Sequence, residues 1–92
     1  MTGKKNTAFI IFQDNEDARP IIEAVEQDNP GVNVQYQPGM VRLERAGSLI
    51  VKRETVEELM GREWDVQEMQ LVLISLGGNV DEDDDKFELS WG

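Results

Sequence analysis

The stretch that decides the fold is DVQEMQLVLISLGG, residues 65–78. It obeys two periodicities at once. Asp65 and Glu68 have the spacing of a capping box, and Val66, Met69, Leu73 and Leu76 recur as a helical stripe. Against this, the apolar run LVLISL carries β-branched Val72 and Ile74 and is only six residues long before Gly77-Gly78. Strands run about 4–8 residues, whereas helices need about 10–12. The balance favours a strand within residues 67–76.

Towards the carboxyl side, KFELSW (residues 86–91) alternates Phe87, Leu89 and Trp91 and reads as a last strand. Between the two strands lie five consecutive acids, residues 81–85. A calcium loop beginning at Asp81 needs Gly at its sixth position and Glu at its twelfth, which here are Lys86 and Gly92. A disordered tail conflicts with the apolar strand that follows. The acids therefore read as a solvated connection between strands, able to steer a basic partner at low salt.

On the amino side, AFIIF (residues 8–12) is a continuous apolar run suited to a buried strand. QDNEDARP then opens a helix, with Asp17 expected as N-cap and Pro20 harmless in the first turn. Ala18, Ile21, Ile22 and Val25 form its apolar stripe, and Asn29-Pro30-Gly31 stops it. Val32, Val34 and Tyr36 alternate on one face of a second strand, and Pro38-Gly39 turns into a third at residues 40–45. SLIVKR (residues 48–53) follows after Ala46-Gly47. Thr55 and Glu58 are spaced as a capping box for a short helix that would bury Val56, Leu59 and Met60 and end at Gly61.

The element order is strand, helix, strand, strand, given twice, with the boundary near residue 47. This predicts an α+β fold, a duplicated β-α-β-β unit of antiparallel strands packed with two helices. Ninety-two residues make a single domain, 1–92, with residues 1–6 polar and loose. Nineteen acids against nine bases give a net charge of −10, which argues against nucleic acid or an anionic membrane as partner. The chain has no cysteine and no histidine, which removes thiolate sites, the commonest metal ligand and the usual general base. No apolar run reaches the roughly 18 residues of a membrane span, and none of signal-peptide length follows the amino-terminal lysines. The chain reads as a cytoplasmic, soluble protein.

Candidate chemistry is thin. Glu57 and Glu58 are adjacent on a helix and face different ways. Asp14, Glu16 and Asp17 suit the positive end of a helix better than a metal. Gly77-Gly78-Asn79 has no helix behind it to make a phosphate cradle. No catalytic residue, cofactor site or metal site is expected. A small acidic structural or assembly subunit and an enzyme running on carboxylates remain as alternatives.

Three ordered stretches carry a resemblance: FIIFQDNEDARPIIEAVEQDNPG, LIVKRETVEELMGREWDVQE and LISLGGNVDEDDDKFELSW. Together they resemble the effector (coupling) components of bacterial multicomponent phenol hydroxylases, within the wider family that serves toluene and methane monooxygenases. The resemblance implies a cofactor-free, non-catalytic protein. Such a protein docks on the iron-bearing subunit of a separate diiron hydroxylase oligomer, tunes access of substrate and oxygen, and couples NADH oxidation to hydroxylation. It leaves room for competition with the reductase component, which holds the flavin and iron–sulfur centres. By the same resemblance Ser75, Leu76, Gly77, Gly78 and Asn79 face the iron-bearing subunit, and Asn15, Glu16 and Arg19 form a second contact. A bulky charge at Gly78 is then expected to weaken docking and leave the fold intact.

Overall fold

Two antiparallel sheets contribute to one core in the computed structural model, which describes residues 7–91. The expectation for residues 1–6 lies outside the described residues. In chain order the elements are β1 (Thr7–Gln13), α1 (Arg19–Asp28), β2 (Asn33–Gln37), β3 (Met40–Ala46) and β4 (Ser48–Lys52), then α2 (Arg53–Met60) and a 3-10 helix (Val66–Leu71). β5 (Leu73–Gly77), β6 (Asn79–Glu82) and β7 (Lys86–Ser90) complete the chain. The four-stranded sheet has the order β2-β3-β1-β5 and the three-stranded sheet the order β4-β7-β6.

The α+β duplication is present, with a correction to its parts. The order β2-β3-β1 in the first sheet is matched by β6-β7-β4 in the second. The repeat is therefore β1-α1-β2-β3 followed by β4-α2-β6-β7. β5 is an addition that leaves the second half to pair with β1 of the first.

The stretch at residues 65–78 obeys both of its periodicities in succession. Asp65 accepts from Gln67 N–H, Glu68 accepts from Asp65 N–H, and this capping box starts the 3-10 helix. Only Leu73–Gly77 is strand. The strand reading was too long because the capping signal and the β signal sit end to end.

Both main helices begin differently from expectation, for one physical reason: other groups reach their first donors. Asp17 caps nothing. Ala18 holds the N-cap position, and its N–H donates to Asn15 Oδ1 at 2.9 Å. In α2, Arg53 N–H donates to the Asp85 carbonyl at 2.9 Å, so the helix starts two positions before Thr55, which is buried in its first turn. Leu59 faces outward, while Val56 is buried and Met60 packs against the core. Gly61 ends α2 in the left-handed region (φ 76°), donating to the Glu57 carbonyl.

The acidic run is also revised, since Asp81 and Glu82 belong to β6. The turn is built by Asp83, whose Oδ1 accepts from Asp85 N–H (2.8 Å) and Lys86 N–H (3.0 Å). Trp91 lies just past β7, with its indole donating to the Thr7 carbonyl.

The core draws on both sheets and both helices: Ile10, Phe12, Leu43, Leu49 and Leu89 with Ile21, Val25 and Val56, and Met69 from the 3-10 helix. Asn29 seals it. Buried at the end of α1, its Nδ2 donates to Val25 and Ile50 carbonyls (2.7 and 2.8 Å), and its Oδ1 accepts from Ile50 N–H at 2.9 Å. One amide side chain thus ends the helix and occupies the open edge of β4.

Candidate docking surface

β5 is an edge strand of five residues without a charge, LISLG. Its pairing with β1 runs Phe9–Gly77, Ile10–Leu76, Ile11–Ser75 and Phe12–Leu73, so Ile74 is an extra, bulged residue. The bulge leaves Ile74 46% exposed, and Leu71 just before the strand is 77% exposed. Neither was foreseen, because a bulge is a property of register between two strands.

The expected residues separate into different roles. Ser75 is exposed on the outward face of the sheet, opposite Ile11. Leu76 packs against the core. Gly77 has no side chain because Phe9 occupies that space: a Cβ there would overlap Phe9 Cε1 and lie 2.7 Å from Cδ1. The Phe9 ring in turn carries the Arg42 guanidinium 4.2 Å from its centroid, and Arg42 Nε donates to Glu44 Oε1 at 2.8 Å. Gly78 is the single residue between β5 and β6, hence between the two sheets, with φ +134°. Any side chain there strains the backbone, so the expectation that a bulky charge would spare the fold is corrected. Asn79 is exposed at the start of β6.

Asn15, Glu16 and Arg19 lie at the other end of β5. Gln13 N–H donates to the Val72 carbonyl and Asp14 N–H to the Gly39 carbonyl, which anchors the turn that leads to α1. Asn15 builds that turn, Arg19 approaches Asp14 at 4.0 Å, and Glu16 is exposed. The two expected patches are thus at opposite ends of β5, about 14–17 Å apart at the usual rise per residue. Ser75 stands between them.

The perturbed ionisable groups gather elsewhere, around α2 and the acidic turn. Trp64 N–H and then Arg53 hold the Glu57 carboxylate below its ordinary pKa. Asp83 is lowered by the Asp85 N–H and, after a smaller opposing effect of burial, by Lys86. Partial burial pulls the Lys86 ammonium down, but Asp81, Asp83 and Glu88 together outweigh it and leave it raised. These are structural ties within the hairpin and between α2 and Trp64, just before the 3-10 helix. Among the described residues, no group of three or more His, Cys, Asp or Glu is placed to hold a metal. Nor is any described helix long and apolar enough to cross a membrane.

Known proteins match this chain along most of its length. It is 57% identical over 83 residues to the phenol 2-monooxygenase stimulatory component DmpM of Pseudomonas sp. (strain CF600), covering 90% of this chain and 92% of that protein. A chain in the structure of a phenol hydroxylase–regulatory protein complex is 53% identical with a TM-score of 0.90, covering 94% of this chain and 99% of that one. Regulatory protein B of soluble methane monooxygenase shares the fold, with a TM-score of 0.72 at 23% identity over 91% of this chain and 64% of that one. The sequence pattern of the MmoB/DmpM family matches residues 6–90, and the chain belongs to that family.

Proposed function

We propose that this chain is the stimulatory, regulatory component of a multicomponent phenol hydroxylase. It contributes no catalytic group and no cofactor. It docks on the diiron hydroxylase, at the subunit that carries the iron, and couples NADH oxidation to hydroxylation of a phenolic substrate. The observation that carries this reading is the 57% identity to a phenol 2-monooxygenase stimulatory component across 92% of that protein. Its place is the cytoplasm, beside an NADH-using reductase that competes for the same hydroxylase.

An effector shifts its target only as far as it binds one state better than another, and a tenfold shift needs about 1.4 kcal/mol of difference. Docking through Ser75, Gly77, Gly78 and Asn79 at one end of β5, and through Asn15, Glu16 and Arg19 at the other, would place β5 along the iron-bearing subunit. The uncharged edge strand and its exposed Ser75 support this. Leu76 would act from behind, by seating the strand on the core.

The test is turnover of phenol by purified hydroxylase and reductase, with this chain titrated from none to excess while product and NADH are followed together. A rise of rate and of coupling to a plateau is expected. A flat response would overturn the reading. Loss of complex without any change in turnover per complex would favour an assembly subunit instead.

A further inference from the structure

We infer that the outward face of the four-stranded sheet, centred on Phe9 and the Arg42 stacked upon it, is the surface laid against the iron-bearing subunit of the hydroxylase. This rests on the function proposed above and gives it a face rather than an edge.

The first observation is charge. Across this face the cross-strand rows are Gln35–Arg42–Ile11–Ser75 and Asn33–Glu44–Phe9–Gly77, with Gln37, Met40 and Gln13 beyond them. Among the described residues of this face only Arg42 and Glu44 are charged, and they pair with each other. On a chain that is 30% charged with a net charge of −10, such a face is depleted of charge. Aromatic residues, Met and Arg, with few Lys, Asp or Glu, are the composition of interface centres.

The second observation is the continuous apolar run of β1. A strand apolar on both faces belongs in a sheet covered on both sides. Yet β1 alternates fully buried Ala8, Ile10 and Phe12 with half-buried Phe9 and Ile11. The run anticipates a cover on the outward side that none of the described elements supplies.

Size extends the argument. Three rows on four strands span about 14 by 14 Å. A standard interface takes about 800 Å² from each partner. The sheet face is therefore the centre, and the exposed Leu71 just before β5 and the bulged Ile74 within it carry it outward. The occupant must offer an apolar patch. Its rim would be basic where it meets Asp14, Glu16 and Asp17.

The test compares three single variants in the turnover titration. Ile11→Glu puts a charge in the middle of the face, and Gln35→Glu puts one on its exposed edge strand. Lys52→Gln makes the same change of net charge beside the other sheet. Each variant is first checked for an unchanged far-ultraviolet spectrum and thermal midpoint. Gln35 is exposed, so its variant reports on docking even if Ile11→Glu does not fold.

The expected result is a rise of tenfold or more in the concentration needed for half-maximal stimulation with Ile11→Glu, and of several-fold with Gln35→Glu. Lys52→Gln stays within twofold of the parent. If Gln35→Glu and any folded Ile11→Glu also stay within twofold while the parent stimulates, the face is wrong and the effector reading stands. Equal weakening by all three variants would make net charge the cause and overturn the face as well. A parent chain that fails to stimulate overturns both.

Discussion

The two β-α-β-β repeats share a topology and little else. Each has a hairpin paired through its second strand to the opening strand, in the orders β2-β3-β1 and β6-β7-β4. The first hairpin turns on Pro38-Gly39, with Gly39 at φ 79°, whereas the second turns on the side chain of Asp83. The first helix ends in the Asn29 clamp and the second in left-handed Gly61. Their outer faces differ most. The first shows Phe9, Ile11, Met40 and one ion pair; the second shows a lattice in which Lys86 lies 3.5 Å from Asp81 and 3.6 Å from Glu88. The inward faces set the fold, so the outward faces are free to serve a partner in one repeat and the solvent in the other.

If both sheets truly share one core, equivalent truncations should cost alike. Leu43→Ala and Leu89→Ala, one from each sheet, are each expected to cost about 2–5 kcal/mol, with a single transition in denaturant for either variant. Two separable transitions would divide the molecule into independent halves. The helix ends should separate the repeats. Asn29→Ala leaves the partly buried Ile50 N–H and carbonyl unpaired and should cost about 2–3 kcal/mol, against about 1 kcal/mol for Gly61→Ala, measured the same way.

Gly77→Ala probes the outer face of the first repeat alone. The added methyl must displace Phe9, at about 1–3 kcal/mol in a thermal or chemical melt. A neutral result would mean that the ring turns aside freely. The smallest effect belongs to the second repeat. Glu57 has a depressed pKa in the fold, so its contribution is complete above the ordinary glutamate value of about 4.3 and is lost as pH falls through the lower folded value. Glu57→Gln should therefore lower stability slightly near neutrality, converge with the parent at low pH, and so flatten the acid limb of stability against pH. An unaltered acid limb would show that Arg53 and Trp64 hold nothing of consequence there.

Alternation made the inward residues legible in advance. Leu43, Val51, Phe87 and Leu89 fall where a period of two puts them. What escaped was set by distant parts of the chain. Thr55 and Glu58 carry a good capping pattern, but the helix starts earlier, at Arg53, whose N–H donates to the carbonyl of Asp85 more than thirty positions away. Gly77 and Gly78 looked alike in the sequence. In the fold one lies under a ring from β1 and the other holds a backbone angle closed to most residues. The run AFIIF read as a buried strand, and only the sheet order shows that half of it points outward. The ends of the candidate surface could be named from the residues, but its middle could not.

The added strand has a consequence for how the chain acquires its shape. β1 is among the first segments made and β5 among the last, yet each completes the other. Neither half can settle its sheet until nearly all of the chain is present. Closing so long a loop is slow because its entropy is lost before the contact is gained, which sets this small protein with the slower, non-local folders despite its two helices. During that wait the outer edge of β1 stands open, a ready template for a foreign strand. β5, once it pairs with β1, closes that edge and so acts as an internal chaperone.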